Sequence, residues 1–173
     1  TVTGAGGYIL GGRGKVRIAD CLVGVVRDAA QRDIANMGAA MAPAAADTLL
    51  RYFGESGTAA QDYDLIITGD LGILGSEMFR YVCEKNGYAV GNHADCGRLI
   101  YGGDQDAHMG GSGCGCIAAV FGAHFLPHME CGKLTNVLLM ATGALMNKDA
   151  VTQGQSIPAV AHLVHLVYDP QRG

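Results

Sequence analysis

The sequence contains no tryptophan and little charge, and each shortage excludes a class of protein. Of its 173 residues only four are phenylalanine and 16% are charged, which is low for a domain surrounded by water. The formal net charge is −4 and the basic residues form no stripe, so nucleic acid and anionic lipid are excluded as main partners. Because 49% of the chain is hydrophobic, we expect a large apolar surface to pack against another protein segment.

The sequence also lacks a membrane span and a metal motif. No apolar run approaches the roughly 20 residues that cross a bilayer, so membrane association is expected only through a partner. Six cysteines without a secretory signal predict reduced thiols in the cytoplasm. A zinc site built from His93, Cys96, His108, Cys114 and Cys116 lacks the ligand spacing of a closed structural site. No metal and no cofactor is therefore predicted.

Hydrophobic periodicity predicts an α/β chain in which strands and helices alternate. The predicted strands are Lys15–Arg27, Asp64–Asp70, Cys96–Tyr101, Asn136–Ala141 and Pro158–Tyr168. The predicted helices are Gly38–Gly54, Ser76–Asn86 and Ser112–Cys131. This βαβαβαββ order predicts a mixed, mostly parallel sheet in which the last two strands form an antiparallel edge. The opening segment Thr1–Leu10 also resembles a strand.

The segment Gly110–Cys116 is rich in glycine and precedes a long apolar stretch. Glycine admits a close approach of backbone or ligand because it has no Cβ, and a helix start directs unpaired N–H groups into that space. One interpretation is a site for a carboxylate or phosphate, formed by Gly111, Ser112, Gly113 and Cys114. The other is a tight crossing of two buried helices at the glycines, and the sequence leaves both open.

Asp70 follows a predicted parallel strand, at the edge where α/β sheets bind ligands. It either lines a pocket or caps the turn that follows, and the sequence favours neither. Cys96 or Cys114, with His93 or His108 as a base, would suit nucleophilic catalysis. Unreactive thiols are the simpler interpretation of these cysteines.

Several segments resemble the stage V sporulation protein AD family closely. They are Met37–Thr48, Asp62–Leu71, Asp95–Tyr101, Gly110–Cys114 and Ala141–Leu145, together with the opening Thr1–Gly6. The resemblance covers essentially the whole chain and implies one half of the thiolase-like fold, in which two such halves stack. It implies that residues 1–12 are the last strand of an absent N-terminal half, and that residues 13–173 form the C-terminal half.

The resemblance also implies a function without catalysis. Family members bind dipicolinic acid and, with membrane proteins of the same operon, load it into the developing spore. We therefore expect a cytoplasmic protein, peripheral at the spore inner membrane, with a role in sporulation and germination. Condensing relatives in the thiolase superfamily carry a catalytic His at what is here Gly69, and a His or Asn near Gly110 or Gly111. Their absence removes donors each worth a factor of about 10² to 10³ in rate.

The alternative function is an active acyl-thioester condensing enzyme of that superfamily. A structural subunit without small-molecule affinity is a third. The expected partners are the N-terminal half of the same protein and the membrane proteins of the operon. A homodimer is a further candidate, and nucleic acid is not expected.

For a dipicolinate site we predict donors at the start of the Gly-rich helix, namely backbone N–H groups and the Ser112 hydroxyl. Asp70 and Asp95 would repel a bare dianion, and they fit better if calcium bridges ligand and carboxylate. Ile117 stands where the family is expected to carry a small polar residue, which would narrow the pocket. The full predicted set is Gly69, Asp70, His93, Asp95, Cys96, His108, Gly111, Ser112, Gly113 and Cys114.

Overall fold

The computed structural model describes residues 1–172 and arranges their strands in one five-stranded sheet. The strands are β1 (Val16–Leu22), β2 (Leu65–Thr68), β3 (His93–Asp95), β4 (Asn136–Ala144) and β5 (Ala159–Tyr168). Their order across the sheet is β1-β5-β4-β2-β3. The β4–β2 and β2–β3 pairs are parallel, whereas β5 pairs antiparallel with both β4 and β1. The predicted α/β class with a mixed sheet is therefore confirmed, and β4 and β5 are antiparallel as predicted. They do not form an edge of the sheet, because β1 adds beyond β5.

Helices cover both faces of this sheet. They are α1 (Met37–Ser56), α2 (Gly72–Lys85), α3 (Cys96–Leu99), α4 (Gly115–Val120), α5 (Leu126–Glu130) and α6 (Lys148–Thr152), with a π-helical turn at Phe121–Phe125 joining α4 to α5. Ile66 packs with α1 and α2, and its neighbour Ile67 packs with α4 and α5. Both are fully buried because successive side chains of a strand point to opposite faces. The continuous apolar run of β2 is typical of such a strand.

Helix α1 is built from alanines and packs tightly. Asn36 begins it by accepting a hydrogen bond from the Ala39 N–H at 3.2 Å. The predicted end at Gly54 is wrong: the helix continues to Ser56, and Gly57 ends it with φ +68°. A Cβ on Gly75 of α2 would lie 2.8 Å from the Cα of Gly38, so the glycines permit a close crossing of α1 and α2.

The predicted strand Cys96–Tyr101 is wrong, because the strand comes earlier. β3 ends at Asp95, and α3 begins at Cys96. Asp95 is the N-cap of α3, since its side chain accepts a hydrogen bond from the Arg98 N–H at 3.2 Å. A carboxylate in this position favours the start of a helix over a continued strand.

The helix predicted from Ser112 begins three residues later, at Gly115. Gly110 and Gly113 have φ values of +111° and +107°, which a right-handed helix excludes. The glycines therefore form an irregular turn before the helix, which we call the Gly-rich turn (residues 110–114). The predicted end of the helix is confirmed, because Gly132 follows it with φ +74°.

The predicted strand Lys15–Arg27 and the strand-like opening segment Thr1–Leu10 both differ from the structure. β1 stops at Leu22, and Arg27 returns to the sheet only as an isolated bridge. Residues 1–12 form no strand; they cross α4 instead, where the Val2 N–H donates to the Ser112 carbonyl at 2.8 Å and the Tyr8 ring lies 5.9 Å from that of Phe121. Their assignment to a preceding half stays a prediction.

Candidate functional site

Asp70 joins three segments at the carboxyl edge of the parallel strands. Its Oδ2 accepts a hydrogen bond from the Gly113 N–H at 2.8 Å, and its Oδ1 accepts one from the Thr142 hydroxyl at 2.8 Å. The Asp70 N–H in turn donates to Thr142 Oγ1 at 3.2 Å. Burial raises the pKa of Asp70, and the two donors oppose that shift. The end of β2, the Gly-rich turn and β4 are thus held together by one carboxylate.

Asp95 is buried beneath this site, with only 2% of its surface exposed. Its Oδ2 accepts from the Thr68 hydroxyl at 2.6 Å and the Leu71 N–H at 2.9 Å. Its Oδ1 accepts from the Gly72 N–H at 2.9 Å and the Arg98 N–H at 3.2 Å. All four lone-pair positions of the carboxylate are therefore filled by protein donors. Burial raises the pKa of Asp95, but four donors would leave a carboxyl proton without an acceptor, so the residue is ionised at neutral pH.

Hydrogen bonds between side chains connect Asp95 through Thr68 to His93. Thr68 Oγ1 lies 2.8 Å from His93 Nε2, and its single proton goes to Asp95. His93 must then carry its proton on Nε2 and donate it to Thr68. Burial lowers the pKa of His93 to about 4, and the ring packs 4.7 Å from that of Phe79. His93 is therefore neutral at physiological pH, where it supports Asp95.

The space beside Gly69 and Gly111 is occupied by protein. A Cβ on Gly69 would lie 2.8 Å from Thr142 Oγ1 and 3.6 Å from the Cβ of Ile117. A Cβ on Gly111 would lie 2.5 Å from Ile100 Cγ2 and 2.7 Å from Val2 Cγ2. Gly111 is therefore closely packed, as the second interpretation requires, but its neighbours Val2 and Ile100 do not belong to two crossing helices. Ile117 is at ordinary contact distance from that position and does not line the cleft described below, so the predicted narrowing of a pocket by Ile117 stays a prediction.

A cleft of about 280 Å³ opens beside Asp70. It is lined by residues 34–38, parts of residues 70–75, residues 107–112 and Thr1. Of the predicted ligand-binding residues it contains Asp70, His108, Gly111 and Ser112. The others lie outside its lining: Gly69, His93, Asp95, Cys96, Gly113 and Cys114. Four of the ten predicted residues therefore line one cleft. Of the others, His93, Asp95 and Gly113 make hydrogen bonds that hold the surrounding segments in place.

Sequence reasoning missed the contribution of α1 to the cleft. Asn36, Met37 and Gly38 all line it. The Oδ1 of Asn36 is taken by the Ala39 N–H, which leaves its amide NH₂ group to donate. The first N–H groups of a 20-residue helix have no internal acceptor and carry partial positive charge. An N-cap asparagine before an Ala-rich helix was the available signal, but only the packing brings it to the same cleft as Asp70.

Comparison with known proteins supports the family resemblance that the sequence segments indicated. A sequence model of the stage V sporulation protein AD (SpoVAD) family matches residues 1–167. The chain belongs to this family. It is 44% identical to stage V sporulation protein AD of Bacillus subtilis over 164 residues, which cover 94% of the chain and 48% of that protein. The chain therefore spans about half the length of the curated relative it matches.

The cysteines of this SpoVAD chain are not arranged for reaction with a substrate in the cleft. Cys96 and Cys116 are fully buried, and burial raises the pKa of both thiols, that of Cys116 to about 12. Both are therefore protonated at neutral pH and poor nucleophiles. Cys114 is exposed but lies outside the cleft lining.

Two further properties bear on the family's expected biology. Within residues 1–172, no three or more His, Cys, Asp or Glu side chains are grouped so as to hold a metal ion. In the same part of the chain, no helix has both the length and the apolar character required to cross a membrane.

Proposed function

We propose that this chain forms the C-terminal, thiolase-like half of a non-enzymatic protein that binds dipicolinic acid and serves its uptake into the developing spore. Membership of the stage V sporulation protein AD family supports the sporulation role. The filled space at Gly69 and Gly111 is the observation that carries the non-enzymatic part of the proposal.

Condensing enzymes stabilise a developing negative charge with donor side chains placed in advance. Here neither glycine has a side chain, and neither has room for one. A donor at position 69 would overlap Thr142, and a donor at position 111 would overlap Ile100 and Val2. Because the surroundings are close-packed, no donor side chain can be placed at either position, which supports a function without condensation chemistry.

The cleft suits a small aromatic dicarboxylate. Its volume of about 280 Å³ is at the lower end for ligand pockets, as expected for a single ring. The Asn36 amide, the start of α1 and the Ser112 hydroxyl supply neutral or partly positive donors for carboxylates. Met37 and Met109 add apolar surface for the ring. This donor set keeps the predicted Ser112 hydroxyl but replaces the predicted backbone N–H groups, because Asp70 already accepts the Gly113 N–H.

Apolar surface outside the cleft supports packing against the N-terminal half. A groove of about 320 Å³ between α3 and α4 is lined by Leu99, Ile100, Ala119, Val120, Ala123 and His124. Ile9 is fully exposed, and Val23 is 72% exposed. Covering such surface is favourable by about 25 cal/mol per Å². We propose the membrane proteins of the operon as further partners, which would place the protein at the spore inner membrane.

Calorimetric titration of dipicolinic acid into the full-length protein, with and without calcium, tests the proposal. The informative variant is Asn36→Asp, because an aspartate keeps the helix cap but loses the NH₂ donor and adds a negative charge. We expect dipicolinate binding to weaken by more than about 1 kcal/mol without loss of stability. Asn147→Asp is the matched control, since Asn147 caps α6 through its side chain and lies outside the cleft.

Three results would contradict parts of the proposal. Absence of dipicolinate binding in both conditions would remove the ligand-binding function and favour a structural subunit. Binding that is unchanged in Asn36→Asp would place the ligand outside this cleft. Condensation of acyl-CoA substrates by the full-length protein would overturn the non-enzymatic part.

A further inference from the structure

The cleft proposed for dipicolinate has little positive charge in its lining. Its side chains include one carboxylate, that of Asp70, and the donors assigned to the ligand, the Asn36 amide and the Ser112 hydroxyl, are neutral. Within the described part of the chain, His108 is the only lining side chain that can take up a proton and become a cation. A ligand with two carboxylates is ionised at neutral pH, so His108 is the candidate counter-charge for it.

The backbone holds His108 at the cleft in an uncommon conformation. Its φ is +48°, and that of Asp106 is +46°, in the left-handed region that few residues other than glycine adopt. The next residue is anchored to the cleft wall, because the Met109 carbonyl accepts a hydrogen bond from the Ile73 N–H of α2 at 2.8 Å. Strained backbone of this kind persists where the surrounding structure fixes it, and it is concentrated at ligand sites.

The side chain of Asp106 leaves one nitrogen of His108 free. Asp106 Oδ1 lies 3.6 Å from His108 Nδ1. Both side chains are exposed, so the pair contributes little to stability. A protonated imidazole donates from both nitrogens, which lie on opposite sides of the ring. Nδ1 can therefore face Asp106 while Nε2 donates to a carboxylate of the ligand.

We propose that His108 in its protonated form supplies the counter-charge for a dicarboxylate in the cleft, so that the affinity rises as pH falls. This inference rests on the proposed function and assigns to its site a residue that selects ligands by charge. An imidazole changes its charge between about pH 5 and pH 8, whereas carboxyl groups with ordinary pKa values near 4 stay ionised there.

Two carboxylates bear on the charge of His108, namely Asp106 on its own loop and Asp70 in the cleft lining. The parts of α1 and α2 that line the cleft carry no charged side chain. Burial raises the pKa of Asp70, and protonation of Asp70 would also strengthen the binding of an anion at low pH. The experiment must therefore separate His108 from Asp70.

Calorimetric titration of dipicolinic acid into the full-length protein from about pH 5.5 to about pH 8, without calcium, tests the inference. For the wild type we expect an affinity about fivefold to tenfold higher at the lower pH, the effect of one unit charge about 4 Å away in water. His108→Gln should bind at every pH as the wild type does at the highest. His108→Lys keeps a positive charge throughout, so it should bind tightly at every pH.

His162→Gln is the matched control. His162 is an exposed histidine on β5 that lies outside the cleft lining, and its Nδ1 accepts a hydrogen bond from the Gly24 N–H at 3.1 Å. Glutamine keeps an acceptor for that N–H, so the variant should retain the pH dependence of the wild type.

Each outcome decides the inference. A pH dependence that is lost in His108→Gln, with tight binding at every pH in His108→Lys, supports it. A pH dependence that persists in His108→Gln or disappears in His162→Gln overturns it, as does His108→Lys that binds no better at pH about 8 than His108→Gln. An affinity of the wild type that does not change with pH also overturns it and leaves the proposed function intact. Absence of dipicolinate binding at every pH removes the proposed function and this inference with it.

Discussion

Replacing Asp95 by Asn tests the hydrogen-bonded chain beneath the cleft. The change preserves shape but replaces one carboxylate oxygen by an NH₂ group. If that group takes the place of Oδ1, it faces the N–H groups of Gly72 and Arg98, and both lose their acceptor. If it takes the place of Oδ2, it faces the Leu71 N–H and the Thr68 hydroxyl. The second orientation is favoured, because a hydroxyl can turn and accept while an N–H cannot.

The energetic cost follows from this orientation. The buried Leu71 N–H is left without an acceptor, which costs about 1–3 kcal/mol. The bonds that remain lose their ionic character, and hydrogen bonds to charged groups contribute about 1.5–3 kcal/mol rather than about 1. We therefore expect Asp95→Asn to lower the free energy of unfolding by roughly 3–5 kcal/mol.

The same reasoning predicts a change in His93. In Asp95→Asn the Thr68 hydroxyl accepts from the amide and gives its own proton to His93 Nε2, so His93 must move its proton to Nδ1. Nitrogen-15 chemical shifts of the imidazole distinguish the two tautomers, and urea unfolding measures the stability. Asp64→Asn is the control: Asp64 accepts three hydrogen bonds, against four for Asp95, but it is exposed, so water can replace the lost acceptor. An unchanged His93 tautomer together with a loss below about 1 kcal/mol would refute the chain.

Two further substitutions give measurable outcomes. The pKa of His93 is about 4 in the folded protein because of burial, and about 6.5 in an unfolded chain. As pH falls from about 6.5 to 4 the unfolded chain takes up the proton first, so the free energy of unfolding should fall by up to about 3 kcal/mol. The His93→Gln variant should lack this loss. If the free energy of unfolding has the same pH dependence in wild type and His93→Gln, the reasoning is wrong. Gly111→Ala should destabilise by about 1–3 kcal/mol, because its Cβ overlaps Ile100 and Val2, and adding Val2→Ala should restore part of the loss in a thermal melt. An unaffected Gly111→Ala protein would mean that the space is open, as a binding pocket requires.

The fold was predictable where the apolar pattern is strong. β2, β4 and β5 are recognisable because their inward side chains are aliphatic over several successive residues. β3 has no such signal: it is three residues long, and its buried position is the charged Asp95. It pairs with β2 in parallel, and the Asp95 side chain accepts hydrogen bonds from Thr68 and Leu71, which no local pattern records. The late start of α4 likewise depends on glycine backbone angles rather than on hydrophobicity.

The candidate site was predictable only where a residue's position in a local pattern indicated its role. Asp70 was identified because strand ends bind ligands in parallel sheets. Its partners Gly113 and Thr142 lie far along the chain, and only the strand order β4-β2-β3 brings them to it. Asn36 was missed because it shares a cleft with Asp70 only through long-range packing, in which α1 and α2 cross closely. Residue type thus indicated the chemistry, whereas long-range packing decided which groups meet.

Asp70, and not Asp95, is the carboxylate through which calcium would act on ligand binding. Calcium on Asp95 would have to displace backbone N–H groups that fill its lone pairs, whereas each oxygen of Asp70 accepts a single protein donor and keeps one lone pair free. Calcium takes six to eight oxygen ligands, so Asp70 would supply at most two, and dipicolinate and water the others. Asp70→Asn should therefore weaken calcium-dependent binding of dipicolinate. Without calcium the same substitution should strengthen binding by roughly 1 kcal/mol, because it removes a negative charge beside a dianion. Titrations corrected for the calcium–dipicolinate complex in solution measure both signs, and a weakened affinity in both conditions would show that Asp70 only positions the Gly-rich turn.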